Sequence, residues 1–175
     1  VKLMDYTYVA NNPINFIDPF GLFKAVVLVG YLDIEEQNWK NPPISNENGG
    51  LSTYGRLIRN WFALTLVYPP EDVMVFDYFE GQTAILSGDW QLEEVKDLVY
   101  VGHGAGNKDR TAIVPMYGVG INPESFATLV NKLGNVNRVS VLACRSGDVN
   151  TDTKSTFIDE LKTEVNRTGV RYIGV

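Results

Sequence analysis

An α/β fold, a mostly parallel sheet with helices on both faces, is the class this sequence predicts. Three observations lead there. Short apolar runs rich in β-branched residues recur along the chain, at FKAVVLVGYL (23–32), LVYV (98–101) and RVSVLA (138–143). Such near-continuous runs suit strands buried on both faces. Between them lie segments with apolar residues at three- and four-residue spacing, the period of an amphipathic helix. Proline, glycine and asparagine punctuate the joints.

The elements follow in order. Residues 1–22 read as an irregular, turn-rich tail, because YTYVANNPINFIDPFGL sets Asn-Pro and Asp-Pro turn starters among aromatic and aliphatic residues. The α/β domain is expected over 23–175, opening on the strand within 23–32. A polar Pro/Asn/Gly loop follows at 38–53. Tyr54, Leu57, Ile58, Trp61, Phe62 and Thr65 then mark a helix, with Ser52 or Thr53 as its cap and Pro69-Pro70 as its stop. The run VMVFDYF (73–79) predicts a second strand, and Glu80-Gly81 is expected to turn it into a short hairpin with QTAIL. A short helical segment near 90–96 leads to the strand at 98–101, with GHGAG read as its exit loop. Short extended pieces are expected over 111–121. Asn122 and Pro123 open a helix that ends at Gly134. RVSVLA is the fourth strand, 155–168 a helix closed by Gly169, and 171–175 the fifth strand.

Composition narrows the function. The 175 residues carry a net charge of -6 and no basic run. Binding to nucleic acid needs clustered Lys and Arg, so no nucleic-acid partner is expected. No apolar run reaches the roughly 18 residues that span a bilayer, so no membrane span is expected either. The chain opens on Val rather than Met, which reads as a piece of something longer. A single cysteine excludes an internal disulfide, and one cysteine with one histidine excludes a zinc site built from those two residue types. No cofactor is implied. A Cys/His catalytic pair remains open, and it would have to be Cys144 and His103.

Both residues are expected just past the carboxyl end of an apolar strand. That is the edge where open α/β sheets bind ligands. A cysteine peptidase needs a thiol nucleophile, a histidine to manage protons, and backbone N–H groups aimed at the developing oxyanion. VGHGAG supplies the histidine between glycines that permit close approach to the main chain. ACRSGD supplies the cysteine among small residues. The N–H groups of Gly104 and Cys144 are the candidate oxyanion donors. Asp33 and Asp148, each after an expected strand, are candidates for lining a specificity pocket, though a solvated loop acid or a helix cap is the plainer reading of each.

The pairing of strand–GHG with strand–Ala-Cys-x-Ser-Gly resembles the caspase-like cysteine peptidases (clan CD), especially the self-processing cysteine protease domains of large bacterial toxins. The resemblance spans about residues 23–175. It implies that Cys144 is the nucleophile, His103 the general acid and base, and Gly104 an oxyanion donor. Metacaspases have an Asp two residues before the cysteine that helps bind a basic P1 side chain. Here that position is Leu142, which implies an apolar P1 residue. The toxin domains take inositol hexakisphosphate on a basic patch that this acidic chain does not show.

A second resemblance lies in the first 22 residues. Tyr6, Tyr8, Asn11, Asn12, Pro13, Asp18, Pro19, Gly21 and Leu22 are similar to the signature that ends the core of rearrangement hotspot (Rhs) proteins. In that family the segment after the signature is a variable toxin, cut free beyond the leucine and delivered by a secretion machine. Residues 23–175 would then be a toxin acting on a protein substrate in the cytoplasm of a target cell. The upstream Rhs shell and a cognate immunity protein are its implied partners. Two other readings stand beside this one: a protease that cleaves itself in cis after Leu22, and a non-catalytic caspase-like binding domain. A hydrolase built on a serine elbow is disfavoured, because GHGAG has Gly where the serine would stand.

Overall fold

The computed structural model describes residues 22–30, 52–106, 111–143 and 155–174. Five strands form the parallel body of the sheet: β1 (Ala25–Val29), β2 (Val73–Asp77), β3 (Asp97–Gly106), β6 (Arg138–Ala143) and β7 (Arg171–Gly174). Their spatial order is β2-β1-β3-β6-β7, and every neighbouring pair among them is parallel. Two further strands, β4 (Thr111–Met116) and β5 (Val119–Ile121), extend antiparallel from the far end of β3.

The helices α1 (Thr53–Thr65), α2 (Tyr78–Ser87), α3 (Pro123–Lys132) and α4 (Phe157–Glu164) divide between the two faces. Alternation along each strand decides which residues meet which helix. Val26, Leu28, Leu98, Tyr100, Val139 and Val141 point into the larger core with α2, α3 and α4. Ala25, Val27, Val99 and Val101 point the other way, against Leu57 and Leu64 of α1. The chain leaves β1 toward β2 through α1 and leaves β3 toward β6 through α3. Right-handed crossovers require opposite faces for two such moves in opposite directions, and the helices comply. The direction of winding therefore reverses between β1 and β3, which makes their carboxyl ends the topological switch point.

Local chemistry explains the helix starts. The Ser52 side chain accepts a hydrogen bond from the Gly55 N–H at 2.9 Å, and Asn122 accepts from the Ser125 N–H at 2.8 Å with Pro123 in the first turn. Thr156 and Asp159 form a reciprocal capping box at the start of α4. An edge-to-face aromatic chain, Phe79–Tyr78–Tyr100–Phe126–Phe157, ties the first turns of α2 and α4 and the body of α3 to β3.

The amino edge of the sheet is closed by charge. Asp97 opens β3 and is buried. It accepts from Arg138 Nε, at the start of β6, and from the Tyr68 hydroxyl at 2.6 Å. Burial, with the adjacent Asp97 carboxylate, pushes the Tyr68 phenol up to about 12.

Four expectations change. The segment after β2 is not a hairpin: Glu80 and Gly81 lie inside α2, whose cap is Asp77. Gly81 is there for packing, since a Cβ on it would come within 2.3 Å of Leu28 Cδ2 and 3.0 Å of Phe76 Cβ. GHGAG is not an exit loop, because β3 continues through it to Gly106 by pairing with β4. The helix expected near 90–96 is one 3-10 turn at Trp90–Leu92. The helix expected over 155–168 is the shorter α4, with Val165 as its C-cap.

Candidate active site

β3 changes partners at one peptide bond. From Asp97 to Gly102 it pairs in parallel with β6, and the last pair is Gly102 with Ala143. From His103 onward it pairs antiparallel with β4, where His103 faces Val114 and Gly104 faces Ile113. His103 is therefore held inside a strand, half-buried, at the point where the ladder to β6 ends. Its Nε2 is withdrawn from solvent.

Glycine makes this edge bare. Gly30 follows β1, and its N–H donates to the Val101 carbonyl at 2.8 Å. A Cβ on Gly30 would lie 3.4 Å from the Gly102 Cα, so the two backbones pass close at the switch point. The Tyr100 hydroxyl fills the space beneath them. It donates to the His103 carbonyl oxygen at 3.2 Å. A side chain at either glycine would collide with that hydroxyl, at 2.7 Å from Gly30 and 2.4 Å from Gly102.

Of the residues singled out from the sequence, His103 and Gly104 stand together at the carboxyl edge, consecutive in β3. Leu142 lies opposite Val101 one step before the ladder ends, half-buried against the core on the α1 side. Cys144, Asp33 and Asp148 lie outside the described residues, as do residues 1–21 and most of the loop over 38–53. Tyr100 and Gly30 were not among the sequence candidates. The one signal for them was a tyrosine in an otherwise aliphatic strand and a glycine closing another, and either reads as ordinary core. Among the described residues no cluster of His, Cys, Asp and Glu is arranged to hold a metal ion, and no helix is long and apolar enough to cross a membrane.

Set against protein-family models, curated proteins and solved structures, the chain matches none.

Proposed function

We propose that this chain is a caspase-like cysteine endopeptidase that works through a Cys144/His103 dyad as the C-terminal toxin of an Rhs-type protein. One observation carries the reading. Gly102 and Ala143 are the last register partners of the adjacent parallel strands β3 and β6, and His103 and Cys144 are each the next residue in the sequence. Neighbouring strands run about 4.8 Å apart, so a histidine and a cysteine that each follow one member of the same pair start from adjacent backbone positions. The reversal of winding beside them, between β1 and β3, supports a ligand crevice at the same edge.

The chemistry follows from the residue types. The Cys144 thiolate attacks the peptide carbonyl carbon, and the carbonyl oxygen gathers negative charge that the Gly104 and Cys144 N–H groups receive. The tetrahedral centre collapses as the C–N bond breaks, and the His103 imidazolium gives its proton to the departing amine. Water then attacks the thioester, with His103 taking a proton from it, and the thiolate leaves. Leu142 supports an apolar rather than an acidic S1 environment, and so an apolar P1 residue. The acidic, single-cysteine composition supports a protein substrate over nucleic acid.

The test is expression of the domain inside a susceptible bacterial cell. Cys144→Ala and His103→Ala are each expected to abolish toxicity in protein that remains folded. Full toxicity from folded Cys144→Ala protein would overturn the proposal. Cleavage of a peptide library by the wild type, with Cys144→Ala as blank, is expected to show an apolar P1 preference.

A further inference from the structure

Tyr100 lies beneath the site and its ring faces away from it, yet its hydroxyl holds a part of the main chain that the proposed chemistry uses. The phenol oxygen donates to the carbonyl of His103. That carbonyl belongs to the His103–Gly104 peptide group. A trans peptide is planar, and its C=O and N–H point in opposite directions. Fixing the His103 carbonyl toward Tyr100 thus fixes the Gly104 N–H away from it.

The surroundings are shaped for this one hydroxyl. Gly30 and Gly102 leave a slot that a Cβ at either position would fill, with the Tyr100 oxygen 2.7 Å and 2.4 Å from the two Cβ positions. The ring itself is fully buried and held edge-to-face by Tyr78 at 6.0 Å and Phe126 at 6.4 Å between centroids. A rigid aryl group on the body of the sheet therefore delivers its hydroxyl to the first peptide beyond the β3–β6 ladder. That peptide lies past the end of the β6 ladder and within the β4 ladder, where His103 is paired with Val114 and Gly104 with Ile113, so the hydroxyl adds a side-chain bond to a plane that β4 also holds.

We infer that Tyr100 is a positioning residue for the oxyanion donor: its hydroxyl, together with the β4 ladder, holds the plane of the His103–Gly104 peptide so that the Gly104 N–H is presented to the reacting carbonyl. This rests on the Cys144/His103 reading. It assigns a role to a residue that acts through the main chain. Gly30, just past the end of β1, belongs to the same device as the residue that leaves room for the hydroxyl.

Two reactions of the single cysteine separate this role from a merely structural one. Iodoacetamide alkylates a thiolate by displacement and builds no oxyanion. p-Nitrophenyl acetate acylates it through a tetrahedral oxyanion that needs the donor. Tyr100→Phe removes the hydroxyl and keeps the ring contacts. The expected result is a fall of about tenfold in the ratio of acylation to alkylation rate, less than the roughly 10²–10³-fold cost of losing an oxyanion donor outright, because the donor stays and only its hold is loosened. Gly30→Ala, whose Cβ would lie 2.7 Å from the hydroxyl and push the phenol away from the His103 carbonyl, is expected to lower the same ratio, and to add little once Tyr100→Phe is present. A ratio unchanged in Tyr100→Phe overturns the inference. Should Tyr100→Phe fail to fold, an unchanged ratio in Gly30→Ala overturns it instead. Failure of the dyad itself shows elsewhere: His103→Ala would then leave the acylation rate of the single cysteine at the wild-type value, and both proposals would fall together.

Discussion

The two edges of this sheet are built from opposite materials. At the amino edge, strand entries are tied by charge and by backbone bonds that step from strand to strand. Asp97 holds Arg138 and Tyr68, the Lys24 carbonyl takes the Lys96 and Asp97 N–H groups, and the Lys96 carbonyl takes those of Asn137 and Arg138. At the carboxyl edge, among the described residues, the chain passes Gly30 after β1 and Gly102 and Gly104 in β3, and the Tyr100 hydroxyl beneath the first two is turned to the main chain. The buried carboxylate of Asp97 sits where nothing has to enter. Bare backbone sits where, in the proposed function, a carbonyl has to come close. The contrast teaches that stability and chemistry are separated along the strand axis, so that variants at one edge should leave the other intact.

The largest effect expected belongs to the carboxyl edge. Cys144→Ala and His103→Ala should each lower peptidase activity by at least about a thousandfold, the scale of losing a member of a nucleophile–base unit. Their urea unfolding midpoints should stay close to that of the wild type. A large loss of stability in either would mean that the carboxyl edge also carries the fold, and would break the contrast.

Next in size is the amino edge. Asp97→Ala leaves Arg138 without its carboxylate and the Tyr68 hydroxyl without its acceptor. It should cost about 3 kcal/mol in equilibrium unfolding, because removing one partner strands the rest. The ratio of acylation to alkylation at Cys144 should not change in the protein that remains folded.

Tyr68→Phe is a gentler form of the same experiment, at about 1 kcal/mol for one hydrogen bond. It also carries a pH signature. The Tyr68 phenol titrates near 12 in the folded chain, above its ordinary value of 10.0. A group raised in the folded state stabilises fully below its unfolded pKa and loses that contribution as pH climbs through the folded one. Stability should therefore fall between about pH 10 and 12. Burial pushes the Tyr78 phenol up as well, so some alkaline loss should persist in Tyr68→Phe, with a shallower slope. Denaturant melts at stepped alkaline pH would check this.

The smallest effect belongs to neither edge. Lys162 and Asp159 form an exposed ion pair on α4 at 3.2 Å. Lys162→Ala should change stability by less than about 0.5 kcal/mol, which sets the floor for the comparison.

Much of this architecture was legible in the sequence, for identifiable reasons. β1 and β6 announced themselves because strands buried on both faces must be apolar throughout. α1 and α3 did so because period and caps agreed. Gly81 misled because a glycine after a strand ordinarily signals a turn, whereas here it lies in a helix pressed against Leu28 and Phe76, contacts that only the tertiary structure contains. GHGAG misled for a related reason. Glycines carry no side-chain alternation, so a strand made of them shows no period, and its pairing with β4 becomes visible only when both are placed. At the candidate site, His103 and Gly104 could be chosen from residue type and position. Tyr100 could not, since its part depends on a hydroxyl meeting a carbonyl three residues later through a gap left by Gly30, the residue after β1.

β3 pairs with β1, β4 and β6, strands that come from before it and after it in the chain. Each of those pairings except the one with β4 must close a long loop before it returns any stabilisation. The histidine's surroundings therefore assemble in the same step as the hydrophobic core, and a partly folded chain holds the sequence of the site without its geometry. Time spent unfolded is, for this molecule, time spent without its assembled site.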